Sequence, residues 1–336
     1  MTEKYKIYIP EDMKSRLTND AELFEFFKKD GSVNLNAFLK QLLVTYFDPY
    51  RSRKEELQNT ILSDLDGLAS ISKSDANTIA DKIINTYLRD NAMHSDKSST
   101  ITLTVSGRSL DVIHTIENNL LNNTSMSQYL KDLFQSYLSI PRNDREMIIF
   151  QDTFEDLKDA IKKEQVITFS STTAPNQVFS VMPYIIAASK EEQCNYLLCC
   201  DTRTGNPRSF RVSRINSIFP TNHFFTPDPD IIQQLKEAAI RSPQSASKNV
   251  IAQVKLTQRG VHRFHVIVKN RPDVMKIEGD VYYFNWPLRQ LEEYFKRFGK
   301  DALIISPVEC IESMIIFHGS ALAAYRKLSN RIKTKG

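Results

Sequence analysis

Polar and apolar residues alternate over residues 4–10, K-Y-K-I-Y-I-P, with Tyr5, Ile7 and Ile9 on one face and Lys4, Lys6 and Tyr8 on the other, which predicts a short strand. The period then lengthens. Met13, Leu17, Leu23, Phe24 and Phe27 recur at helical spacing until Gly31 and Ser32 break the run. Asn34 is placed to cap a second helix over 35–47, striped by Phe38, Leu39, Leu42, Leu43 and Tyr46. The same order returns. Ile101, Leu103 and Val105 alternate with Thr100, Thr102 and Thr104, and a helix carries Leu110, Ile113, Ile116 and Leu120. Ser125 with Gln128 reads as a capping box opening a helix with Met126, Tyr129, Leu130, Leu133, Phe134 and Tyr137. At an offset of 91 residues, Leu39, Lys40, Leu42 and Tyr46 coincide with Leu130, Lys131, Leu133 and Tyr137. Between the copies, Leu57, Ile61, Leu65 and Leu68, then Ile79, Ile83, Ile84 and Tyr87, predict two bracing helices over 51–89, with Ser74 as an N-cap.

One strand–helix–helix unit cannot bury its strand alone, but two copies can by pairing their strands. The order resembles the ribbon-helix-helix fold, written twice in one chain. That resemblance implies a ribbon face entering a DNA groove and a second-helix N-terminus holding a phosphate. The matching exposed positions are Lys4, Lys6, Tyr8, Thr100, Thr102 and Thr104. Residues 1–150 carry a net charge of −3, which weighs against DNA readout and leaves open an assembly or RNA-contacting role.

A different rhythm follows. An amphipathic helix over 153–163 leads into strands at 166–170, 178–184, 185–189 and 195–201, with polar turns at 172–177, 190–193 and 203–207. The last turn delivers R-S-F-R-V-S-R-I, residues 208–215. Read as one extended strand, Phe210 and Val212 share a face with Arg208 and Arg214 at its ends, while Ser209, Arg211 and Ser213 share the other. A guanidinium flanked by hydroxyls suits phosphate or carboxylate, because its planar donors match paired oxygens. Solvated arginines on an edge strand fit the same spacing. The short strands predict a small SH3/Sm-like barrel. A Pro/Ser linker is expected over 226–249, with Asp228-Pro-Asp230 as turn chemistry. Beyond it the pattern reads strand 250–256, helix 259–268, strands 273–278 and 281–285, helix 287–298, strand 302–306 and helix 308–328, a ferredoxin-like order. The expected architecture is multi-domain α+β: 1–150, 151–225, linker 226–249 and 250–336.

Composition narrows the chemistry. The 336 residues are 41% hydrophobic and 25% charged, the balance of a globular protein, with no apolar run of membrane-spanning length. The N-terminus lacks a signal-peptide core, so a cytoplasmic location and no membrane partner are expected. Residues 151–225 are neutral overall and 226–336 carry +7, so nucleic-acid affinity needs a local patch. Cys194, Cys199, Cys200 and Cys310 form no C-x-x-C pair and read as reduced thiols. His262 and His265 have no third ligand at metal spacing. Nine glycines supply no phosphate loop. Trp286, Tyr282, Tyr283 and Phe284 read as core and interface rather than a base-stacking platform. No catalytic group, metal or cofactor is expected.

Ala160-Ile161, Pro183-Tyr184, Tyr196-Leu197 and the stretch Arg208 to Ile215 resemble the pattern of the WYL domain. Asn195 stands where that pattern has Trp, and Ser213 where it has Asp. The resemblance implies a regulatory ligand-binding module for nucleic acid or nucleotide-like molecules. Tyr184 and Tyr196 would supply rings, and Arg208, Arg211 and Arg214 would hold phosphates. R-F-G-K-D-A-L-I-I-S-P from Arg297 and the later A-L-A-A-Y resemble the C-terminal extension of WYL regulators, which implies a homodimer. A ribbon-helix-helix front with a WYL domain resembles the WYL accessory proteins of RNA-targeting type VI-D CRISPR systems. That likeness implies a non-catalytic protein that binds single-stranded RNA and stimulates an effector ribonuclease. The alternatives are a DNA-binding transcriptional regulator with a ligand-sensing WYL domain, and a pure assembly protein.

Overall fold

The computed structural model describes residues 2–66, 72–87, 98–121 and 124–333. It divides into two compact units, 1–155 and 156–336.

The first unit comprises β1 (Glu3–Pro10), α1 (Glu11–Leu23), α2 (Leu35–Asp66), α3 (Lys73–Tyr87), β2 (Ser98–Val105), α4 (Arg108–Asn119), α5 (Met126–Leu138) and α6 (Arg142–Ile149), and α7 (Gln151–Lys162) follows. Strands β1 and β2 pair antiparallel, Ile7 opposite Ile101 and Tyr5 opposite Leu103, so the repeated strands make one ribbon within a single chain. Ile7, Ile9, Ile101, Leu103 and Val105 are buried in one core with Met13, Leu17, Phe38, Leu42, Leu133 and Phe134. The repeat also governs the ribbon's edges. The Tyr8 N–H donates to Ser127 Oγ at 2.9 Å. The Thr104 N–H donates to Asn36 Oδ1 at 2.7 Å, and Asn36 Nδ2 donates back to the Thr104 carbonyl at 3.1 Å. Asn36 and Ser127 stand 91 residues apart. Each copy's second helix therefore satisfies an edge amide on the other copy's strand, where an unpaired amide would invite wrong pairing.

Several local expectations shift. Helix α1 ends at Leu23, because Glu25 takes a left-handed backbone conformation (φ 64°). Phe24 and Phe26 then turn inward against Phe38 and Phe150, while Phe27 only bridges Val33 across the Gly31 turn. Helix α2 does not stop near 47 but runs on through Pro49 to Asp66. Proline removes one helical hydrogen bond, and burial of Tyr46, Phe47 and Tyr50 around it holds the helix together. The α3 cap is Ser72, whose Oγ accepts from the Asp75 N–H, rather than Ser74. Leu68 and the Tyr87 side chain lie outside the described residues. Asn34 and Ser125 do cap α2 and α5, accepting from the Ala37 and Gln128 amides. The Gln128 side chain turns to Asp132, so the capping box is half made.

The second unit carries β3 (Gln165–Ser171), β4 (Ala174–Ser189), β5 (Cys194–Asp201), β6 (Pro207–Arg211), β7 (Ile215–Phe224), α8 (Pro229–Arg241), β8 (Asn249–Leu256), α9 (Gln258–Val266), β9 (Val274–Glu278), β10 (Val281–Pro287), α10 (Leu288–Phe295), β11 (Ala302–Ser306) and α11 (Val308–Lys333). One sheet has the order β6-β5-β4-β3-β7 and the other β11-β8-β10-β9. The expected strands 178–184 and 185–189 are a single strand, β4, whose register slips between Pro183 and Ile185 where proline has no N–H to pair. Residues 208–215 are not one strand. A 3-10 turn, Val212–Arg214, separates β6 from β7 and carries the chain from one edge of the sheet to the other. Val212 and Ser213 are both buried in that turn.

The segment expected as linker contains helix α8. Asp228 Oδ1 caps it by accepting the Asp230 N–H at 2.9 Å, and Leu235 and Ala238 are buried. In the second sheet, Ala252, Val254, Phe284 and Ile304 bury against Phe264, Leu291 and Phe295 of α9 and α10. Gly260 permits the close approach of α9, since a Cβ there would sit 2.0 Å from the Asp301 carbonyl oxygen. Gly260→Ala is expected to destabilise the chain by about 1–3 kcal/mol, read as a lower thermal midpoint with calorimetry.

Candidate functional site

The hairpin β5–β6 is set by Asp201, whose Oδ1 accepts the amides of Arg203 (3.0 Å) and Thr204 (3.2 Å) while Gly205 takes φ 65°. Asp201 Oδ2 accepts from Arg208 Nη1 at 3.1 Å. Burial works to raise the Asp201 carboxyl, but those amides and the Arg208 guanidinium hold it below its usual range. The Arg208 guanidinium also lies 5.1 Å from the ring centroids of Phe179 and Phe210. Arg208 is thus fixed by a carboxylate below and two rings beside it, which partly spends its charge inside the protein.

β6 is an edge strand, paired only with β5. Arg208, Ser209, Phe210 and Arg211 line a cavity of about 920 Å³, and the 3-10 turn adds Arg214. The structure therefore brings the three predicted arginines together, although by an edge strand plus a turn rather than by one continuous strand. Tyr196 lies opposite Arg211 in the β5–β6 register and also lines the cavity. Its ring is only 8% exposed and its hydroxyl donates to Glu192, so it presents no open face for a stacked base. Burial, reinforced by the Glu192 carboxylate, keeps that phenol protonated well above its ordinary range. Tyr184 does not join the cleft lining. It is half-buried against Phe225, ring centroids 5.1 Å apart. Asn195, at the position of the pattern's Trp, is buried at 4%.

The cleft has further residues that the sequence pattern did not mark. The loop 242–247 forms part of its lining, tied to β6 by Ser209 Oγ donating to the Gln244 carbonyl at 3.0 Å. Arg289 and Arg297, with Glu292 and Glu293, come from α10 and the 3-10 turn after it. Glu191 and Glu192 come from the β4–β5 turn. These groups lie far from the arginine stretch in sequence, and no local spacing connects them to it.

Lys4, Lys6 and Tyr8 stand exposed on the outer face of the ribbon in the first unit, opposite Thr104, Thr102 and Thr100. On the ribbon's other face, Tyr5 Oη hydrogen-bonds Glu3 at 2.6 Å and Glu117 at 3.1 Å. Among the described residues no cluster of His, Cys, Asp and Glu could hold a metal ion, and no helix is long and apolar enough to cross a membrane. Cys194, Cys199, Cys200 and Cys310 are buried thiols.

Residues 152–220 match the family model of the WYL domain. A solved structure described as "Crystal structure of a CRISPR Cas-related protein" is similar over 97% of this chain and 95% of its own, at 20% identity and a TM-score of 0.65. At that identity the likeness shows a shared fold. Proteasome accessory factor B/C of Arthrobacter aurescens aligns over 92% of this chain and 54% of its own at 13% identity, with a TM-score of 0.29. No curated protein matches the chain.

Proposed function

With residues 152–220 being a WYL domain, we propose that this protein is a non-catalytic accessory regulator in an RNA-targeting CRISPR system. In this reading it binds single-stranded RNA and stimulates an effector ribonuclease. The observation that carries the reading is the convergence of Arg208, Arg211 and Arg214 with Ser209 on one cavity of about 920 Å³. Guanidinium groups offer paired planar donors to the oxygens of a phosphodiester. The shared fold with a CRISPR Cas-related protein supports the setting. Arg211 and Arg214 are the phosphate-holding pair; Arg208, tied to Asp201, sets their frame. The test is a set of gel shifts with matched single-stranded RNA, single-stranded DNA and duplex DNA. Single-stranded RNA is expected to bind most tightly, and its failure to bind at moderate salt would remove the proposal in favour of a pure assembly role.

A specific observation favours a second reading. The ribbon presents Lys4, Lys6 and Tyr8 beside exposed threonines on one flat face, the layout of a ribbon-helix-helix DNA reader. If duplex DNA is the preferred ligand and Lys4→Ala/Lys6→Ala abolishes that preference, the protein is a transcriptional regulator and the WYL cleft its sensor.

The strand order β11-β8-β10-β9 supports the ferredoxin-like reading of the C-terminal module, and α11 supports its role in homodimer formation. Ile315, Leu322 and Tyr325 on that helix are 66, 50 and 73% exposed and share one side of it, an apolar stripe of the kind that a partner covers. Ile315→Asp/Tyr325→Asp is expected to halve the mass measured by light scattering, and an unchanged dimer would place the interface elsewhere.

A further inference from the structure

The cleft that the three arginines line has a second wall, and that wall belongs to the C-terminal module. Five guanidinium groups line the cavity: Arg208, Arg211 and Arg214 from the WYL domain, Arg289 and Arg297 from α10 and the turn after it. Several basic side chains of the second unit are committed to carboxylates. Arg259 and Arg263 face Asp301 at 3.7 Å, Lys255 faces Asp280 at 3.0 Å, and Arg241 faces Asp273 at 3.8 Å. Arg297 instead lies with its guanidinium carbon 5.5 Å from the Tyr294 ring centroid, and that ring is anchored by its hydroxyl donating to the Ile267 carbonyl at 2.7 Å. Arg289 opens α10, where its backbone N–H donates to Ser247 Oγ at 3.3 Å, fixing it against the 242–247 loop that is itself bound to β6. Both side chains are exposed. The lining therefore carries two exposed guanidinium groups besides Arg211 and Arg214, Arg297 resting on a ring that is itself anchored.

The same cavity holds four carboxylates, Glu191, Glu192, Glu292 and Glu293, so its side-chain charge is close to balanced. A long phosphate track needs a run of uncompensated cations. A cavity of this volume lies at the upper end of the roughly 300–1,000 Å³ range of small-ligand clefts. Its mixed signs suit a ligand that carries few phosphates together with hydrogen-bond donors of its own, as the amino and imino edges of nucleobases do.

We infer that Arg289 and Arg297 complete the WYL site by holding a phosphate across the cleft from Arg211 and Arg214, so that the site takes a short phosphorylated nucleotide segment of about one to three units rather than a long strand. This rests on the reading of the cleft as a nucleotide-binding site. The segment's source is either part of an RNA strand or a free oligonucleotide.

The experiment uses the full-length protein with two fluorescent probes, a 5′-phosphorylated uridine trinucleotide and a 20-nucleotide single-stranded RNA. Arg289→Ala/Arg297→Ala is compared with Arg211→Ala/Arg214→Ala, with circular dichroism as the folding control. Both folded variants are expected to lose about tenfold or more in trinucleotide affinity, the effect of removing charge-assisted phosphate contacts. Competition of the 20-mer with the trinucleotide identifies RNA as the source, and absence of competition identifies a free oligonucleotide. If Arg211→Ala/Arg214→Ala weakens binding while Arg289→Ala/Arg297→Ala leaves it unchanged, the second wall is wrong and the WYL site stands. Binding of the 20-mer without any binding of the trinucleotide overturns the short-segment inference alone. If neither variant alters either probe, the nucleotide reading of the cleft fails, and this inference with it.

Discussion

Arg145→Ala is expected to cost about 3–5 kcal/mol of stability. Asp20 is 1% exposed and Arg145 7% exposed. Arg145 Nε donates to Asp20 Oδ2 at 2.7 Å and Nη2 to Oδ1 at 2.8 Å, a bidentate fork. Its remaining arm donates to the Ile140 carbonyl at 2.6 Å, and its guanidinium lies 5.5 Å from the buried Tyr137 ring. Truncation removes every one of these contacts and leaves the Asp20 carboxylate inside the core with the more distant Arg142, at 3.9 Å, in place of that fork. An uncompensated buried charge is far worse than a lost pair. The double change Asp20→Leu/Arg145→Met is therefore expected to recover most of the loss, because it removes both charges and keeps volume. Urea denaturation followed by far-ultraviolet circular dichroism measures both. A single variant within about 1 kcal/mol of wild type would show that water reaches Asp20, since only surface pairs contribute so little.

The double variant Arg211→Ala/Arg214→Ala is expected to bind single-stranded RNA at least tenfold more weakly at low salt. It should also flatten the dependence of log affinity on log salt by about 1.4, since each phosphate neutralised on a single strand contributes a slope near −0.7. Both side chains reach the cavity from its WYL wall, Arg211 from the edge strand and Arg214 from the turn that follows. Arg208→Ala is expected to behave differently. Its guanidinium bonds Asp201 and rests on Phe179 and Phe210, so its loss should lower stability more than it changes the salt slope. A salt titration of RNA affinity for each variant, with thermal melts alongside, separates the two behaviours. Unchanged affinity and slope in a folded Arg211→Ala/Arg214→Ala protein would move RNA binding away from the cleft, to the ribbon or the basic C-terminal module.

Local pattern alone determined the parts of this protein that depend on neighbours in sequence. Alternation placed Ile7 and Ile101 inward and Lys4, Lys6 and Tyr8 outward, and the 91-residue repeat foretold that the two strands pair with each other. Caps at Asn34 and Ser125 and the strand–helix order of the C-terminal module were legible for the same reason: a helix end or a strand face is specified within a few residues. Tertiary structure decided what local propensity leaves undetermined. Pro49 sits inside a helix because Tyr46, Phe47 and Tyr50 are buried around it. The arginine stretch bends into a 3-10 turn because the chain must pass from one edge of its sheet to the other, and that demand comes from the pairing of β3 with β7. The residues 226–249, polar and proline-rich enough to read as linker, fold into α8 because Leu235 and Ala238 find an apolar surface to cover. The cleft shows the division most clearly. Three of its arginines stand together in sequence, whereas Arg289 and Arg297 arrive from some eighty residues away. No period or spacing can record such a meeting, because it exists only once two separately patterned sheets are packed in one unit.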